Sequence, residues 1–144
     1  MKAFAALLVL LWASVQAEAR DYVLEHYVGD GTLIATSRLS LEFGPESETG
    51  VIPISGQRIV DRVDDRYRGL IGQQPGVTGR LYGRRFTLTL DNSIFGDPLE
   101  LEAVFTDNDR GTFNGEWQRF FCFSGGSGFV RAWPIGSAAT KIVE

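Results

Sequence analysis

Three consecutive alternations of apolar and polar residues between Val77 and Trp117 constrain this chain more than any other feature of it. Val77, Gly79 and Leu81 alternate with Thr78, Arg80 and Tyr82, and a turn at Gly83 and Arg84 follows. Phe86, Leu88 and Leu90 then alternate with Thr87, Thr89 and Asp91. After a loop from Asn92 to Pro98, Leu99, Leu101, Ala103 and Phe105 alternate with Glu100, Glu102, Val104 and Thr106. A turn from Asp107 to Gly111 leads into Phe113, Gly115 and Trp117. A period of two places each residue set on one face of a strand. The segment therefore reads as an antiparallel meander, apolar on one face and solvated on the other.

The flanking sequence continues the pattern. Tyr22, Leu24, His26 and Val28 alternate with Val23, Glu25 and Tyr27, and Gly29-Asp30-Gly31 supplies the residues of a hairpin turn. Leu33, Ala35, Ser37, Leu39, Leu41 and Phe43 fall on one face of the next strand, with Ile34, Thr36, Arg38, Ser40 and Glu42 on the other. Gly44 to Gly50 is a solvated loop by composition. Val51 to Ile54 is a short strand whose Pro53 places it at an edge or an irregular corner, where a missing N–H is tolerated. Residues 55–66 fit helical or strand spacing, and context favours strand; Tyr67 to Gly72 resumes strand character. Gln118 to Phe123 and Phe129 to Ile135, separated by a Gly/Ser-rich tip, form a last hairpin.

Eight or nine short strands with turn signals between them indicate an all-β chain. Short connections favour an up-and-down meander, and closure removes exposed edges. The expected architecture is an antiparallel up-and-down β-barrel of about eight strands, with a β-sandwich as the alternative.

The N-terminus has a different character. Lys2, the apolar run Ala3 to Trp12 and the small-x-small triplet Ala17-Glu18-Ala19 make residues 1–19 a secretory signal peptide, leaving 20–144 as a single barrel domain. The expected location is exported, periplasmic or extracellular, in a bacterium. The apolar run is too short for a stop-transfer helix, so no integral membrane segment is expected after cleavage. A net charge of −4, spread along the chain, argues against nucleic acid as a partner. Cys122, the single cysteine, cannot form a disulfide within the chain and is either buried or paired between chains.

Tyr67-Arg68-Gly69, Val77-Thr78-Gly79-Arg80-Leu81-Tyr82-Gly83, Phe86 to Leu90 and Thr112-Phe113-Asn114-Gly115-Glu116-Trp117 together resemble small secreted barrels of the calycin type, avidin-like and lipocalin-like proteins. The resemblance covers roughly the half of the chain from Tyr67 to Trp133. It implies the architecture and a binding role but no particular ligand. The lipocalin-type Gly-x-Trp near the mature N-terminus is absent, and no biotin site matches residue by residue.

The aromatic cluster of the final hairpin is the candidate site, with Trp117, Phe121, Phe129, Arg131 and Trp133 as ligand-binding residues. Large aromatics on both faces of a hairpin either line a barrel mouth or a contact patch or, if the strands bulge around Gly115, fill the core and one covered face. Arg131 is in phase with Phe129 and Trp133, so its guanidinium either clamps an acidic ligand group or pairs with Glu100, Glu102 or Glu116. Glu100 and Glu102, two apart on one strand, have a spacing compatible with paired-carboxylate hydrolysis but read as a solvated face. Asp107-x-Asp109-x-Gly111 begins like a calcium loop and then departs from it, so it reads as a turn. A lone His26 excludes a multi-histidine zinc site, and no acid, base and nucleophile converge. The reading is a non-enzymatic binding module with no cofactor and no metal. Its partner is a small apolar or amphipathic ligand or, alternatively, a protein met by the aromatic hairpin.

Overall fold

A computed structural model describes residues 18–67, 76–90, 99–119 and 127–135. Eight strands follow one another: β1 (Glu18–Val28), β2 (Leu33–Phe43), β3 (Val51–Val63), β4 (Gly76–Tyr82), β5 (Arg85–Leu90), β6 (Leu99–Phe105), β7 (Phe113–Arg119) and β8 (Ser127–Pro134). Each pairs antiparallel with its neighbours in the chain, and β8 pairs with β1, so the sheet closes into an up-and-down barrel. Among the described strands no sheet edge is left open.

The alternation of the meander is the alternation of the wall. Val77, Leu81, Phe86, Leu88, Leu90, Leu99, Leu101, Ala103, Phe105, Phe113 and Trp117 are all buried in one core. Tyr22, Leu24, Leu39, Leu41, Phe43, Ile54, Val130 and Ala132 complete it from the other strands. Burying such residues contributes about 1.5–3 kcal/mol for each large apolar side chain.

Glycines at inward positions allow the wall to bend. A Cβ on Gly56 would lie 1.9 Å from the Ser40 carbonyl oxygen, and one on Gly115 would lie 2.2 Å from that of Glu102. At these points neighbouring strands approach more closely than any side chain permits, which is how a small barrel turns its corners.

One end is plugged by aromatic rings. Phe86 and Phe113 meet edge to face at 4.9 Å, Phe105 and Phe113 at 5.6 Å, and Tyr22 and Phe113 at 5.4 Å. Each such pair contributes about 0.5–1.5 kcal/mol beyond its burial. Over the plug lies Arg110, in the left-handed region at φ 55°, with its guanidinium 4.7 Å from the centre of the Phe43 ring. Glu18 binds Arg110 at 2.8 Å and also binds Arg20, which in turn donates to the Asp109 carbonyl. The Tyr22 hydroxyl donates to the Arg110 carbonyl at 2.6 Å, and burial pushes its pKa up to about 12. The Asp107–Gly111 segment is thus a turn, closed by the Asp109 N–H donating to the Asp107 carboxylate at 2.9 Å.

Three local expectations are revised. A bulge follows the His26–Ala35 pair, so Tyr27 faces Leu33 and the phase of β2 slips there. Ile34 and Ala35 are consequently both buried while Leu33 is exposed, reversing the assignment of Leu33 and Ile34. Residues 51–63 form one long strand, so the strand reading of 55–63 holds and the short strand at 51–54 is its beginning. Pro53 does not lie on an edge, since β3 is paired on both sides; its carbonyl accepts from the Gly44 N–H just past the last β2–β3 pair, Phe43–Ile54. That is a corner, where the reciprocal bond that Pro53 cannot donate falls beyond the last regular β2–β3 pair. Tyr67 ends a 3-10 turn, Asp65–Tyr67, instead of opening a strand. The expectations for residues 68–72, Phe120 to Phe123 and the tip that follows lie outside the described residues.

Candidate functional site

The hairpin cluster does not assemble on one face. Trp117 points into the barrel and is 1% exposed. Phe129, Arg131 and Trp133 share the opposite phase of β8: their partners on β1 are Tyr27, Glu25 and Val23, all on the outer face. Phe129 stacks on Tyr27 with ring centres 4.9 Å apart and planes 8° from parallel. The Tyr27 hydroxyl donates to Glu25 at 2.8 Å, and its pKa is raised, first by burial and then by that carboxylate. Arg131 is exposed, while Phe129 and Trp133 are half-buried. Phe121 lies outside the described residues. The in-phase relation of Phe129, Arg131 and Trp133 is as the spacing indicates, and the face they share is the outer one.

Glu100 and Glu102 also face outward, with Glu102 directly across from Glu116 on β7. With Phe129, Trp117 and Gly128 they line a half-open hollow of about 340 Å³. Among the described residues, no group of three or more His, Cys, Asp or Glu side chains is arranged to hold a metal ion.

The interior is different. Its buried polar side chains among the described residues are His26, Ser37 and Arg58. His26 follows Tyr22 and Leu24 in the inward phase of β1, next to Ala35 of β2 and Val130 of β8. Ser37 is the next inward residue of β2, across from Leu24, and Arg58 enters from β3 across from Leu39. Trp117 completes the group, its ring centre 6.4 Å from that of His26.

Gly128 makes the indole's position possible. A Cβ there would stand 1.8 Å from the Tyr27 carbonyl oxygen and 2.6 Å from the indole nitrogen. Without it the ring lies against the β8 backbone and its Nε1–H donates to the Tyr27 carbonyl at 2.8 Å. The Trp117 ring is therefore fixed in the wall by its polar edge, with its apolar body inward.

His26 is wholly buried, and among the described residues neither ring nitrogen has a hydrogen-bond partner; the Ser37 hydroxyl is in the same position. A buried polar group without a partner costs about 1–3 kcal/mol, so such groups are rare in folded proteins. Burial, and then the charge of Arg58, hold the His26 pKa well below its ordinary 6.5. The imidazole is thus neutral at pH 7 and offers one donor and one acceptor. Burial also lowers Arg58, to about 10, which leaves it charged at neutral pH.

His26 and Trp117 stand at the end opposite the aromatic plug, where β1 turns into β2 and where β3, β5 and β7 run out. A second half-open hollow of about 440 Å³ opens at this end between β2 and β3, lined by Ile34, Ala35 and Val63 among others. Ala35 is the cross-strand neighbour of His26.

Sequence reasoning put His26 and Ser37 on inward-facing alternations but assigned neither a role, and it passed over Arg58. The signal was present, since Arg58 shares the parity of Ile54 and Val60. A cation in an apolar phase marks either a break in the strand or a buried charge.

No protein-family model matches the chain, and no curated protein matches its sequence. Among solved structures the fold is similar to that of EF1p2_mFAP2b bound to DFHBI, with a TM-score of 0.50 and 10% identity over 80% of this chain and 90% of that one. A de novo designed fluorescence-activating β-barrel aligns over 84% of this chain and 95% of its own, at 12% identity and a TM-score of 0.48. At these identities the likeness is one of fold. The resemblance to calycin-type barrels accordingly holds at the level of an eight-stranded closed barrel.

Proposed function

We propose that this protein is an exported, non-enzymatic barrel that holds one small amphipathic ligand at the His26 end of its interior. The observation that carries the reading is the wholly buried imidazole with both nitrogens unpartnered, beside the Ser37 hydroxyl and the fixed face of Trp117. Binding sites combine an apolar lining with a few convergent polar groups, and those groups go unmatched until the ligand meets them. A ligand's polar end would meet His26 and Ser37 while its apolar body packs on Trp117 and the leucines. EF1p2_mFAP2b, which shares the fold at low identity, was solved bound to DFHBI.

Native mass spectrometry of protein taken from its own export compartment tests the reading. A retained mass of a few hundred daltons, lost in a folded His26→Phe variant, is the expected result. A clean chain mass, together with His26 ring nitrogen signals unmoved by any extract of that compartment, would overturn it.

A second reading has its own observation. The outer face of β8 displays Phe129, Arg131 and Trp133 together, with Tyr27 stacked alongside, which is the composition of a protein contact. Loss of a co-purifying protein on Trp133→Ala, with folding intact, would favour it over the ligand.

A further inference from the structure

We infer that the leader of this chain is cut between Ala17 and Glu18, so that Glu18 is the first residue of the exported protein. The inference rests on the export reading above and assigns its processing site. Two registers of the sequence put suitable residues at the first and third positions before a scissile bond: Ala17-Glu18-Ala19, cut after Ala19, and Val15-Gln16-Ala17, cut after Ala17. Both follow the apolar run that ends at Trp12. The barrel distinguishes them by what each cut removes.

Glu18 belongs to the wall. It opens β1 across from Phe43, and Ala19 follows across from Glu42, so the β1–β2 ladder runs to the last residue of β2. The Glu18 carboxylate then meets two guanidiniums: Oε1 accepts from Arg20 Nε at 2.6 Å, and Oε2 accepts from Arg110 Nη1 at 2.8 Å. Arg110 in turn lies over the Phe43 ring, and Arg20 donates to the Asp109 carbonyl. A cut after Ala19 takes away two rungs of the ladder and the anion held between the two cations. It also leaves a new α-ammonium on Arg20, so this end of β1 keeps three positive charges and loses its carboxylate. A cut after Ala17 removes none of these contacts. The bond whose hydrolysis leaves the barrel whole is the one before Glu18.

The reaction is that of the host's membrane-bound signal peptidase: water adds at the Ala17 carbonyl carbon, the bond to the Glu18 nitrogen breaks, and an Ala17 carboxylate and a Glu18 ammonium result. The full chain, residues 1–144, is produced with export in a Gram-negative host, and intact mass and N-terminal sequencing read the exported protein. Purified signal peptidase acting on the same precursor in detergent micelles, with no aminopeptidase present, reads the primary cut. Ala19→Leu places a side chain too large for the position before a cut after Ala19 and leaves the earlier bond available. Wild type and variant should both be cut, to the same extent, with Glu18 as the first residue of the product. A main wild-type product beginning at Arg20, with Ala19→Leu left uncut, would overturn the site and leave export standing. So would a main product beginning at any other residue. Precursor of full mass from both proteins, in the host and with the purified peptidase, would overturn the leader reading together with the site.

Discussion

Acidification between about pH 7.5 and 5.5 isolates a single side chain in this protein, because the chain contains one histidine. In the folded protein burial and Arg58 hold His26 well below its ordinary 6.5, while in the unfolded chain it titrates near that value. As the pH falls through 6.5 the unfolded chain takes up a proton that the folded chain refuses. The unfolded state then binds more protons, so stability is fully present above this range and is lost as the pH falls. For one site titrating only in the unfolded state, the loss between pH 7.5 and 5.5 is about 1.4 kcal/mol, with a limiting slope of about 1.4 kcal/mol per pH unit. That corresponds to roughly 5 °C in Tm for a domain of this size. Urea unfolding at several pH values, on the wild type and on His26→Gln, measures it. The wild type should lose stability along this curve, and the variant, whatever its absolute stability, should be flat across it. An equal slope in both proteins, or a flat wild type, would refute the placement of a neutral imidazole inside the barrel. Asp30 and Asp64, whose pKa values are lowered by hydrogen bonds from Thr32 and Arg66, lose their contribution only below the ordinary carboxylate range and do not interfere.

Other perturbations have calculable directions. Gly128→Ala would set a Cβ 1.8 Å from the Tyr27 carbonyl oxygen and against the indole, so denaturant titration should show a loss of about 2 kcal/mol or more. Gly29→Ala, at a position with nothing within 4 Å and no positive φ, should instead be neutral or stabilise by up to about 1 kcal/mol in the same titration. Trp117→Phe removes the Nε1–H that serves the Tyr27 carbonyl and should cost about 1–3 kcal/mol, with the near-ultraviolet dichroism of the interior indole lost. A chain starting at Arg20 lacks the Glu18–Phe43 pairing and both contacts of the Glu18 carboxylate, and its thermal melt should fall below that of a chain starting at Glu18 by a few degrees.

Most of the wall was legible because period-two alternation survives wherever one face is buried: Phe86, Leu88, Leu90 and the β6 series read directly onto the interior. What sequence could not show depends on partners distant in the chain. The slip at Ile34 arises from a bulge against β1, and local alternation carries no mark of it. The cap of Glu18, Arg20 and Arg110 joins residues about ninety positions apart, each of which reads alone as an ordinary surface charge. The candidate site shows the same limit. Hydrophobicity directs attention to aromatic clusters, and on β8 that cluster lies outside; Ser37 and Arg58 matter because they are the wrong kind of residue for the phase they occupy. An expectation built on which residues break a pattern, rather than on which are largest, would have found them.

The pairing of β1 with β8 also sets an order of events. Tyr22 to Val28 bond to a strand that ends at Pro134, so the first segment made waits for the last before its second edge is satisfied. Until then the partly formed sheet has two open flanks, and a stalled or truncated chain offers both to its neighbours. A barrel of this kind completes its ring only after nearly the whole chain is available, which makes assembly slow, as non-local pairings require. Loss of the short β8 segment would therefore do more than remove one strand: it would convert a closed barrel into an unfinished sheet prone to joining its own copies.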